Sequence, residues 1–312
     1  MIVATPTTIS PSKLPALRAA IQQVIQQHFH LSPFSDAAVV DALSGVELFD
    51  TPFVNRLKAE IVSAGRKLWQ RAYVDGNGGN ISARITDNLV LCTPTLCSKG
   101  SLNPDELTIV DLDNNRVFGL RPHTSEILLH LEIYKTVPQA RAVIHCHPPH
   151  ATAHAIAHVI PQGDLIPEQE VFVGPVALAP YETPGTTAFA RTILPFVRQH
   201  NTILLANHGI VYWADSVEHS EWYVEVVETY CKTLMIAQKL RQPLPQIPAA
   251  KIQDLLDLKK KLGLPDARLP LEESAAEQSL SQPGPTSPDP GEFNALIDEL
   301  TLGVLGAMGE QA

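Results

Sequence analysis

A short apolar run that ends in two histidines and two prolines restricts the fold of this chain more than any other stretch. Residues 142–152 read AVIHCHPPHAT, with His145 and His147 two positions apart. Residues at this spacing in a β-strand lie on the same face, roughly 7 Å apart along the backbone. One metal ion can bind two imidazoles placed in this way. Because the following prolines cannot continue a central strand, the pattern predicts a metal site where a strand ends.

Charge and composition exclude several classes of partner. The 312 residues carry a formal net charge of −10, and Lys259-Lys260-Lys261 is the one basic cluster in the sequence. We therefore expect no nucleic-acid partner. No apolar run reaches the length of about 18 residues that a membrane span needs, so we expect no membrane partner. The start of the chain lacks the pattern of a secretory signal, and the four cysteines form no CxxC pair, which favours a cytoplasmic protein.

The two ends of the chain differ from its middle. Apolar periodicity predicts helices over residues 11–31 and 36–47, so residues 1–50 are interpreted as a helical extension that packs or mediates assembly. Prolines open a linker over residues 243–270, which contains a short helix at 252–262. The segment 271–290 is rich in Ser, Pro, Glu and Gln, so we expect residues 271–312 to be a disordered tail ending in a short helix.

Helical and strand patterns alternate through residues 51–242, which we interpret as one domain. The helical patterns cover residues 54–71, 121–137, 151–158, 186–199 and 216–240. The strand patterns cover residues 88–93, 108–113, 171–178 and 201–206, and residues 210–213 are expected to extend the last of these. In the second helix Thr124 or Ser125 is the expected cap, which places Glu126 in the first turn.

Three further features could contribute chemistry, and each has a plain structural alternative. The loop 75–80, DGNGGN, has glycines that would let the backbone approach a ligand, but it could equally be a simple turn. Glu126 could be an acid or base, or it could merely complement the helix dipole. His208, beside Gly209 after an apolar strand, is a plausible third metal ligand. For His154 and His158 the spacing would suit a metal, but without a HExxH glutamate a structural or surface role is favoured.

Five segments together resemble the class II aldolase/adducin family. They are GGNISARI, TPTLCSKGSLNPDELTIVDLD, HTSEILLHLEIYKTVPQARAVIHCHPPHATA, VALAPYETPGT and NTILLANHGIVYWADSVEHSEWYVEVVE. They follow the family's order and spacing from about residue 53 to residue 240. The resemblance implies a three-layer α/β/α domain with a mostly antiparallel central sheet, here with helical N- and C-terminal extensions. It also implies a homotetramer with sites between subunits.

The resemblance also assigns roles to individual residues. It implies a divalent metal, usually zinc, on His145, His147 and His208. It implies that Glu126 is the catalytic acid/base, close to or on the metal. The implied substrate- and phosphate-binding residues are Gly79, Asn80, Thr95, Thr124 and Ser125.

Two positions depart from the family's pattern. Leu96 stands where the family has a glycine that lets phosphate come close, so phosphate binding could be changed or lost. Residues 151–180 contain no tyrosine, although aldolase relatives have a proton-donating tyrosine soon after the HxH helix. That segment offers Glu168 and Glu170 instead, and Tyr181 and Tyr223 are the other candidates for the role.

A metal on three neutral imidazoles keeps an open position, the arrangement of catalytic rather than structural sites. Such a metal would polarise a carbonyl and stabilise an enediolate. The sequence therefore predicts a lyase that performs retro-aldol cleavage of a small hydroxy-carbonyl compound, most simply a sugar phosphate. A sugar-phosphate epimerase or dehydratase could use the same site. A non-catalytic, adducin-like assembly module is the alternative from another class, but this chain keeps all three histidines and the glutamate.

Overall fold

The computed structural model describes residues 48–269. Its contacts divide the chain into two compact units, and the unit Val54–Leu271 contains nearly all of the described residues. The helices predicted at 11–31 and 36–47 and the tail predicted at 271–312 lie outside the described residues, so the division into four segments stays a prediction. Within residues 48–269, no helix has the length and apolar content needed to cross a bilayer.

Eight strands form one sheet at the centre of this unit. They are β1 (Asn80–Arg84), β2 (Leu89–Cys92), β3 (Thr108–Asp111), β4 (Arg116–Phe118), β5 (Ala142–Cys146), β6 (Ala177–Ala179), β7 (Thr202–Leu205) and β8 (Gly209–Ala214). Their order across the sheet is β4-β3-β2-β1-β5-β8-β7-β6. The pair β6–β7 is parallel, and every other neighbouring pair is antiparallel.

Helices cover both faces of the sheet. They are α1 (Pro52–Gln70), α2 (Ile127–Thr136), α3 (Pro149–Ala157), α4 (Thr187–Arg191), α5 (Val217–Leu240) and α6 (Ala249–Lys261). On one face, Val143 and Val211 join a buried cluster with residues of α2 and α4. On the other face, α1 lies over Ile81 at Gly65, and α5 contacts β5 and β8. The expected three-layer α/β/α architecture with a mostly antiparallel sheet is confirmed.

Three local predictions differ from the structure. The predicted strand at 171–178 is instead a π-helical turn, Gln169–Val173, followed after Gly174 by the short strand β6. Gly174 has a φ of 73°, which ends the turn in a conformation that glycine adopts easily. Residues 210–213 do not extend the preceding strand, because the chain reverses before β8 and pairs back on β7. The helix predicted at 186–199 is regular only in α4, since Pro195 removes a backbone donor from its continuation.

Candidate metal centre

Three imidazoles meet at the end of the central strands. His145 is the fourth residue of β5, His147 follows that strand, and His208 lies in the turn between β7 and β8. One ligand atom from each histidine can be chosen so that all three atoms lie within 4.8 Å of one another. The Nε2 atoms of His145 and His147 are 3.1 Å apart. The structure thus brings together two segments that are some sixty residues apart in sequence.

Backbone geometry explains why these segments can approach so closely. A side chain at Gly209 would come within 2.6 Å of both the Cys146 carbonyl oxygen and the His147 ring. Two residues earlier, Asn207 adopts a φ of 57°, a left-handed conformation that asparagine tolerates better than most residues. Together these two positions turn the β7–β8 hairpin tightly and carry His208 over the other two rings.

Hydrogen bonding fixes the orientation of the buried imidazole. His145 Nδ1 lies 2.8 Å from the Ile210 carbonyl oxygen, which can only accept, so Nδ1 carries the proton. The Nε2 lone pair of His145 therefore points toward His147. A backbone carbonyl on the far nitrogen of a ligating histidine is the usual way in which proteins fix its tautomer.

All three histidines favour the neutral form that a metal requires. Burial lowers the pKa of His145 well below its ordinary value, and the neighbouring imidazoles add to this effect. Burial also lowers the pKa of His147 and of His208, although the carboxylate of Glu126 opposes the shift in both cases. His208 Nδ1 is buried without a hydrogen-bond partner among the described residues. Three neutral nitrogen donors that converge in this way fit a divalent ion such as zinc.

The carboxylate of Glu126 lies beside the three imidazoles. Its Oε2 atom is 3.5 Å from His145 Nε2, and its Oε1 atom is 3.5 Å from His208 Nε2. Helix α2 begins at Ile127, so Glu126 occupies the N-cap position in place of the expected Thr124 or Ser125. Its side chain makes no capping hydrogen bond. The carboxylate does not cap the helix and is therefore free to interact with the histidine cluster.

The glycine-rich loop approaches the same centre. Gly79 has a φ of 69°, and a side chain there would come within 3.0 Å of the His145 carbonyl oxygen. The next residue, Asn80, pairs with His145 across β1 and β5. Asn80 Nδ2 donates a 2.7 Å hydrogen bond to Glu126 Oε2. The side chain of Asn80, which the resemblance implies as a phosphate-binding residue, is thus hydrogen-bonded to Glu126.

The other predicted substrate-binding residues, Thr95, Thr124 and Ser125, have defined structural contacts. Arg121 donates hydrogen bonds to the carbonyl oxygens of Thr95 and Leu96, at 3.2 and 3.1 Å, and so holds this turn in place. Thr124 is buried, and its backbone N–H donates to Thr93 at the end of β2. Ser125 faces Gly185, where an added Cβ would lie 3.2 Å from the Ser125 carbonyl oxygen. The role of these residues in holding phosphate stays a prediction.

A buried lysine lies under the glycine-rich loop. Lys99 is 2 % exposed, and its Nζ donates to the carbonyl oxygens of Asn77 and Cys97 at 3.0 and 2.9 Å. Burial lowers its pKa. The ammonium ties the glycine loop to the 95–99 turn, so the two loops that the family resemblance links to phosphate are held together.

A line of buried polar side chains behind Glu126 was not anticipated. His130 Nε2 lies 2.5 Å from Asn80 Oδ1, and His130 Nδ1 lies 2.7 Å from Ser82 Oγ. Ser82 Oγ is in turn 2.9 Å from the Tyr134 hydroxyl. The sequence signal was present, because His130 and Tyr134 follow Glu126 at four-residue spacing and would share one helix face.

The candidates to replace the proton-donating tyrosine of aldolase relatives lie in different environments. Glu170 is 2 % exposed and pairs with Arg268 at 2.8 Å, so it belongs to an ion cluster at the C-terminal end of the unit. Tyr223 is buried in α5, 5.0 Å from the ring of Tyr212. Tyr181 is 58 % exposed and begins the 181–186 turn, whose Gly185 faces Ser125.

His154 and His158 do not join the cluster of three histidines. His154 Nδ1 is bonded to the Val159 carbonyl oxygen at 2.8 Å, and it lies in α3. His158 follows that helix in a left-handed conformation, and its Nε2 contacts Asn207 Oδ1 at 2.8 Å. Both histidines therefore have local structural partners.

Comparison with known proteins agrees with this geometry. A protein-family profile described as class II aldolase and adducin N-terminal domain matches residues 59–235. A 3-oxo-tetronate 4-phosphate decarboxylase of Cupriavidus necator is 34 % identical over 185 residues, which cover 58 % of this chain and 84 % of that protein. An L-fuculose phosphate aldolase of Methanococcus vannielii is 33 % identical over 174 residues, covering 55 % and 92 % respectively.

Solved structures show the same fold. The crystal structure of YgbL from Escherichia coli is 29 % identical, with a TM-score of 0.59, and the match covers 64 % of this chain and 98 % of that one. An L-fuculose 1-phosphate aldolase structure is 26 % identical, with a TM-score of 0.61 and coverage of 67 % and 97 %. The chain therefore belongs to the class II aldolase and adducin family, as an enzyme of the class II aldolase superfamily.

Proposed function

We propose that this protein is a zinc-dependent lyase that performs retro-aldol cleavage, which breaks the bond between the α and β carbons of a small β-hydroxy-carbonyl sugar phosphate. The observation that carries the proposal is the carboxylate of Glu126, 3.5 Å from two imidazoles of a three-histidine cluster. His145, His147 and His208 are the proposed metal ligands. Zinc is proposed over magnesium or calcium because imidazole nitrogen suits zinc, whereas those ions prefer oxygen.

The arrangement of the site suggests which group carries out each step of a retro-aldol reaction. A bound divalent ion supplies Lewis acidity, which draws electron density toward the substrate carbonyl. Glu126 takes the proton from the substrate hydroxyl whose carbon leaves as the aldehyde. Asn80 orients the carboxylate for this step through its 2.7 Å hydrogen bond. A proton must then reach the carbon that has received the bonding electrons, and Tyr181 is the proposed donor.

The phosphate end of the substrate is proposed to lie between the two loops that Lys99 holds together. Gly79 lets the backbone come close to a ligand, while Thr95, Thr124 and Ser125 can offer hydroxyl groups. The buried ammonium of Lys99 gives this region a positive charge. A helix N-terminus adds to it, since α2 begins directly after Glu126.

A second candidate reaction is decarboxylation of a 3-oxo acid phosphate. It is favoured by the curated relatives named 3-oxo-tetronate 4-phosphate decarboxylase, one of them 34 % identical. In this reaction the bond to the carboxylate breaks, carbon dioxide leaves, and the electron pair moves toward the neighbouring carbonyl. The carbon that carried the carboxylate then takes up a proton. No hydroxyl proton has to be removed first, so Glu126 would matter less for the bond cleavage.

The decisive experiment compares both reactions in one preparation. The zinc-loaded protein is given L-fuculose 1-phosphate in one assay and a 3-oxo-tetronate 4-phosphate in the other, with aldehyde and carbon dioxide as the readouts. Release of aldehyde supports the aldolase proposal, and release of carbon dioxide alone supports the decarboxylase. A zinc-loaded, folded protein that releases neither product from these or related sugar phosphates, and also isomerises or dehydrates none, would refute the proposed function.

Assembly and location are part of the same proposal. We propose a homotetramer with its sites at subunit interfaces, which light scattering on the purified full chain would test. All four cysteines are free thiols, which is usual in a reducing compartment, so we propose a cytoplasmic location. A monomer in light scattering would contradict the assembly proposal, including the placement of the sites between subunits.

A further inference from the structure

The buried polar groups behind Glu126 form one continuous line of hydrogen bonds. Strand β1 supplies Asn80 and Ser82, which lie on the same face because they are two residues apart. Helix α2 supplies His130 and Tyr134, one turn apart on the same face. All four side chains are at most 3 % exposed. The order along the line is Glu126, Asn80, His130, Ser82 and Tyr134, with successive separations of 2.7, 2.5, 2.7 and 2.9 Å.

The direction of every bond in this line can be worked out from its first member. An ionised carboxylate can only accept, so the amide nitrogen of Asn80 must face Glu126 and its oxygen must face His130. That oxygen also can only accept, so His130 Nε2 carries a proton. Burial lowers the pKa of His130 to about 3, which leaves the ring neutral and Nδ1 bare at neutral pH.

The directions of the remaining two hydrogen bonds, between His130 and Ser82 and between Ser82 and Tyr134, can be worked out in the same way. Because Nδ1 of His130 is bare, Ser82 must donate its hydroxyl proton to it. The oxygen of Ser82 then accepts the hydroxyl proton of Tyr134, whose pKa is raised by burial so that the phenol stays protonated. Every donor in the line therefore points toward Glu126. Only one set of donor and acceptor directions satisfies all four hydrogen bonds, because reversing any one group would leave two donors or two acceptors facing each other.

We propose that His130 is a positioning residue, which holds the amide of Asn80 in the one orientation that donates to Glu126. Without His130 the Asn80 amide would be free to turn its oxygen toward the carboxylate, and the 2.7 Å hydrogen bond would be lost. Glu126 would then no longer be held 3.5 Å from His145 and His208. This inference rests on the proposed function for its effect on turnover, but not for its effect on Asn80.

Two substitutions at His130, by Gln and by Asn, distinguish a positioning role of this residue from a role in packing alone. In His130→Gln the side-chain amide can reach the place of Nε2 and still donate to Asn80 Oδ1. In His130→Asn the shorter amide can replace Nδ1 toward Ser82 but cannot reach Asn80. Both variants lose the ring, so a purely structural role would affect them alike. His154→Asn, at another buried helical histidine with a backbone partner, controls for the loss of a buried ring.

The first readout needs no substrate. In nitrogen NMR spectra of the metal-free protein, His130 should be the Nε2–H tautomer and should stay neutral from pH 5 to 8. The side-chain amide protons of Asn80 should show the shift of a hydrogen bond to a carboxylate in wild type and in His130→Gln. That shift should be absent in His130→Asn. An Nδ1–H tautomer of His130, or an Asn80 signal that is the same in both variants, would overturn the proposal.

The second readout is turnover by the zinc-loaded protein. We expect His130→Asn to lower kcat by about 100-fold, the scale of a displaced catalytic group, with little change in KM. His130→Gln should stay within roughly fivefold of wild type, and His154→Asn should match wild type. Equal kcat values in the two His130 variants would contradict the positioning role. If wild type has no lyase or decarboxylase activity, the proposed function fails, while the NMR result still decides the inference.

Discussion

The Nε2 atoms of His145 and His147 face each other at 3.1 Å. Two ligands bound tetrahedrally at 2.0–2.1 Å from zinc would be about 3.3 Å apart, so the pair is already near the geometry of a filled site. Because burial favours the neutral form of both rings, His147 Nε2–H can donate to the unprotonated His145 Nε2 in the empty site, and with that proton on Nδ1 instead both lone pairs can face one cation. The spacing of the pair supports the proposed metal site.

The first prediction follows from this pair. His147→Ala removes one of three nitrogen donors, so we expect the purified protein to lose tight zinc binding and all zinc-dependent turnover. Metal content is measured by mass spectrometry after dialysis, with about one zinc per chain expected for wild type. His219→Ala is the control, because His219 is partly exposed on α5 and pairs with Asp215 instead. Zinc retained at full stoichiometry in His147→Ala would count against the assignment.

The second prediction concerns the carboxylate. Glu126→Gln keeps the size of the side chain, and its oxygen can still accept from Asn80, but an amide cannot take a proton. For retro-aldol cleavage we expect kcat to fall by about 100-fold or more, the usual contribution of a general base. Zinc content and the far-ultraviolet circular dichroism spectrum should match wild type. A variant that keeps its aldol-cleavage rate would show that another group removes the proton.

Much of this centre could be predicted from the sequence, because its main signals are local. The HxH spacing and the strand-ending prolines identify His145 and His147 without knowledge of the fold. Bringing His208 to them needs the β7–β8 reversal, whereas the sequence pattern led us to expect residues 210–213 to extend the strand at 201–206. Local signals also missed the role of His130, since its partners Asn80 and Ser82 lie on a strand some fifty residues earlier. Such pairings are set by sheet register, which only the folded chain determines.

The third prediction is a loss of stability in mild acid. His130 and His145 are fully buried, and burial depresses the pKa of each, to about 3 in His130. Below the ordinary histidine pKa of 6.5, the unfolded chain therefore binds protons at these two positions that the folded chain does not, and the lowered pKa of His147 and of His208 adds to the difference in the metal-free protein. Stability is present above this pKa and is lost as the pH falls toward the folded values. The free energy of unfolding should drop by about 1.4 kcal/mol per pH unit for each histidine.

Urea titrations of the metal-free protein between pH 7 and pH 5 measure this slope. The window lies above the range in which most carboxylates titrate, so histidine dominates it. His130→Gln should show a slope that is smaller by about 1.4 kcal/mol per pH unit, since the proton of His130 no longer contributes. A wild-type stability that stays flat over these two pH units would mean that the buried histidines are protonated in the folded state.

The fourth prediction distinguishes the two tyrosines. Tyr181 is 58 % exposed and begins the turn that reaches Ser125, whereas Tyr223 is packed against Tyr212 and Phe172. If Tyr181 donates the proton to carbon, Tyr181→Phe should lower kcat about 100-fold at unchanged zinc content. Tyr223→Phe loses the same hydroxyl group in the buried stack and should leave kcat unchanged. Equal kcat values for Tyr181→Phe and wild type would remove Tyr181 from the mechanism.

The last prediction concerns the residue that departs from the family's pattern. Leu96 has a φ of 52°, so it adopts the left-handed conformation that suits a glycine, and its side chain is 74 % exposed. For a residue with a Cβ atom this conformation costs roughly 1–2 kcal/mol. Leu96→Gly relieves that strain but gives the unfolded chain more freedom, by up to about 1 kcal/mol. We therefore expect the melting temperature to change little.

The effect on ligand binding should be larger than the effect on stability. The carbonyl oxygens of Thr95 and Leu96 are held by Arg121, so the backbone of this turn should keep its shape when the side chain is removed. With the leucine side chain gone, an anion can come closer to the free face of the turn, and inorganic phosphate should bind more tightly to Leu96→Gly than to wild type. Calorimetry with phosphate measures this difference, and Leu120→Gly, at another highly exposed leucine, is the control. Phosphate binding of equal strength in Leu96→Gly and wild type would show that Leu96 does not limit access, and that the turn holds something other than phosphate.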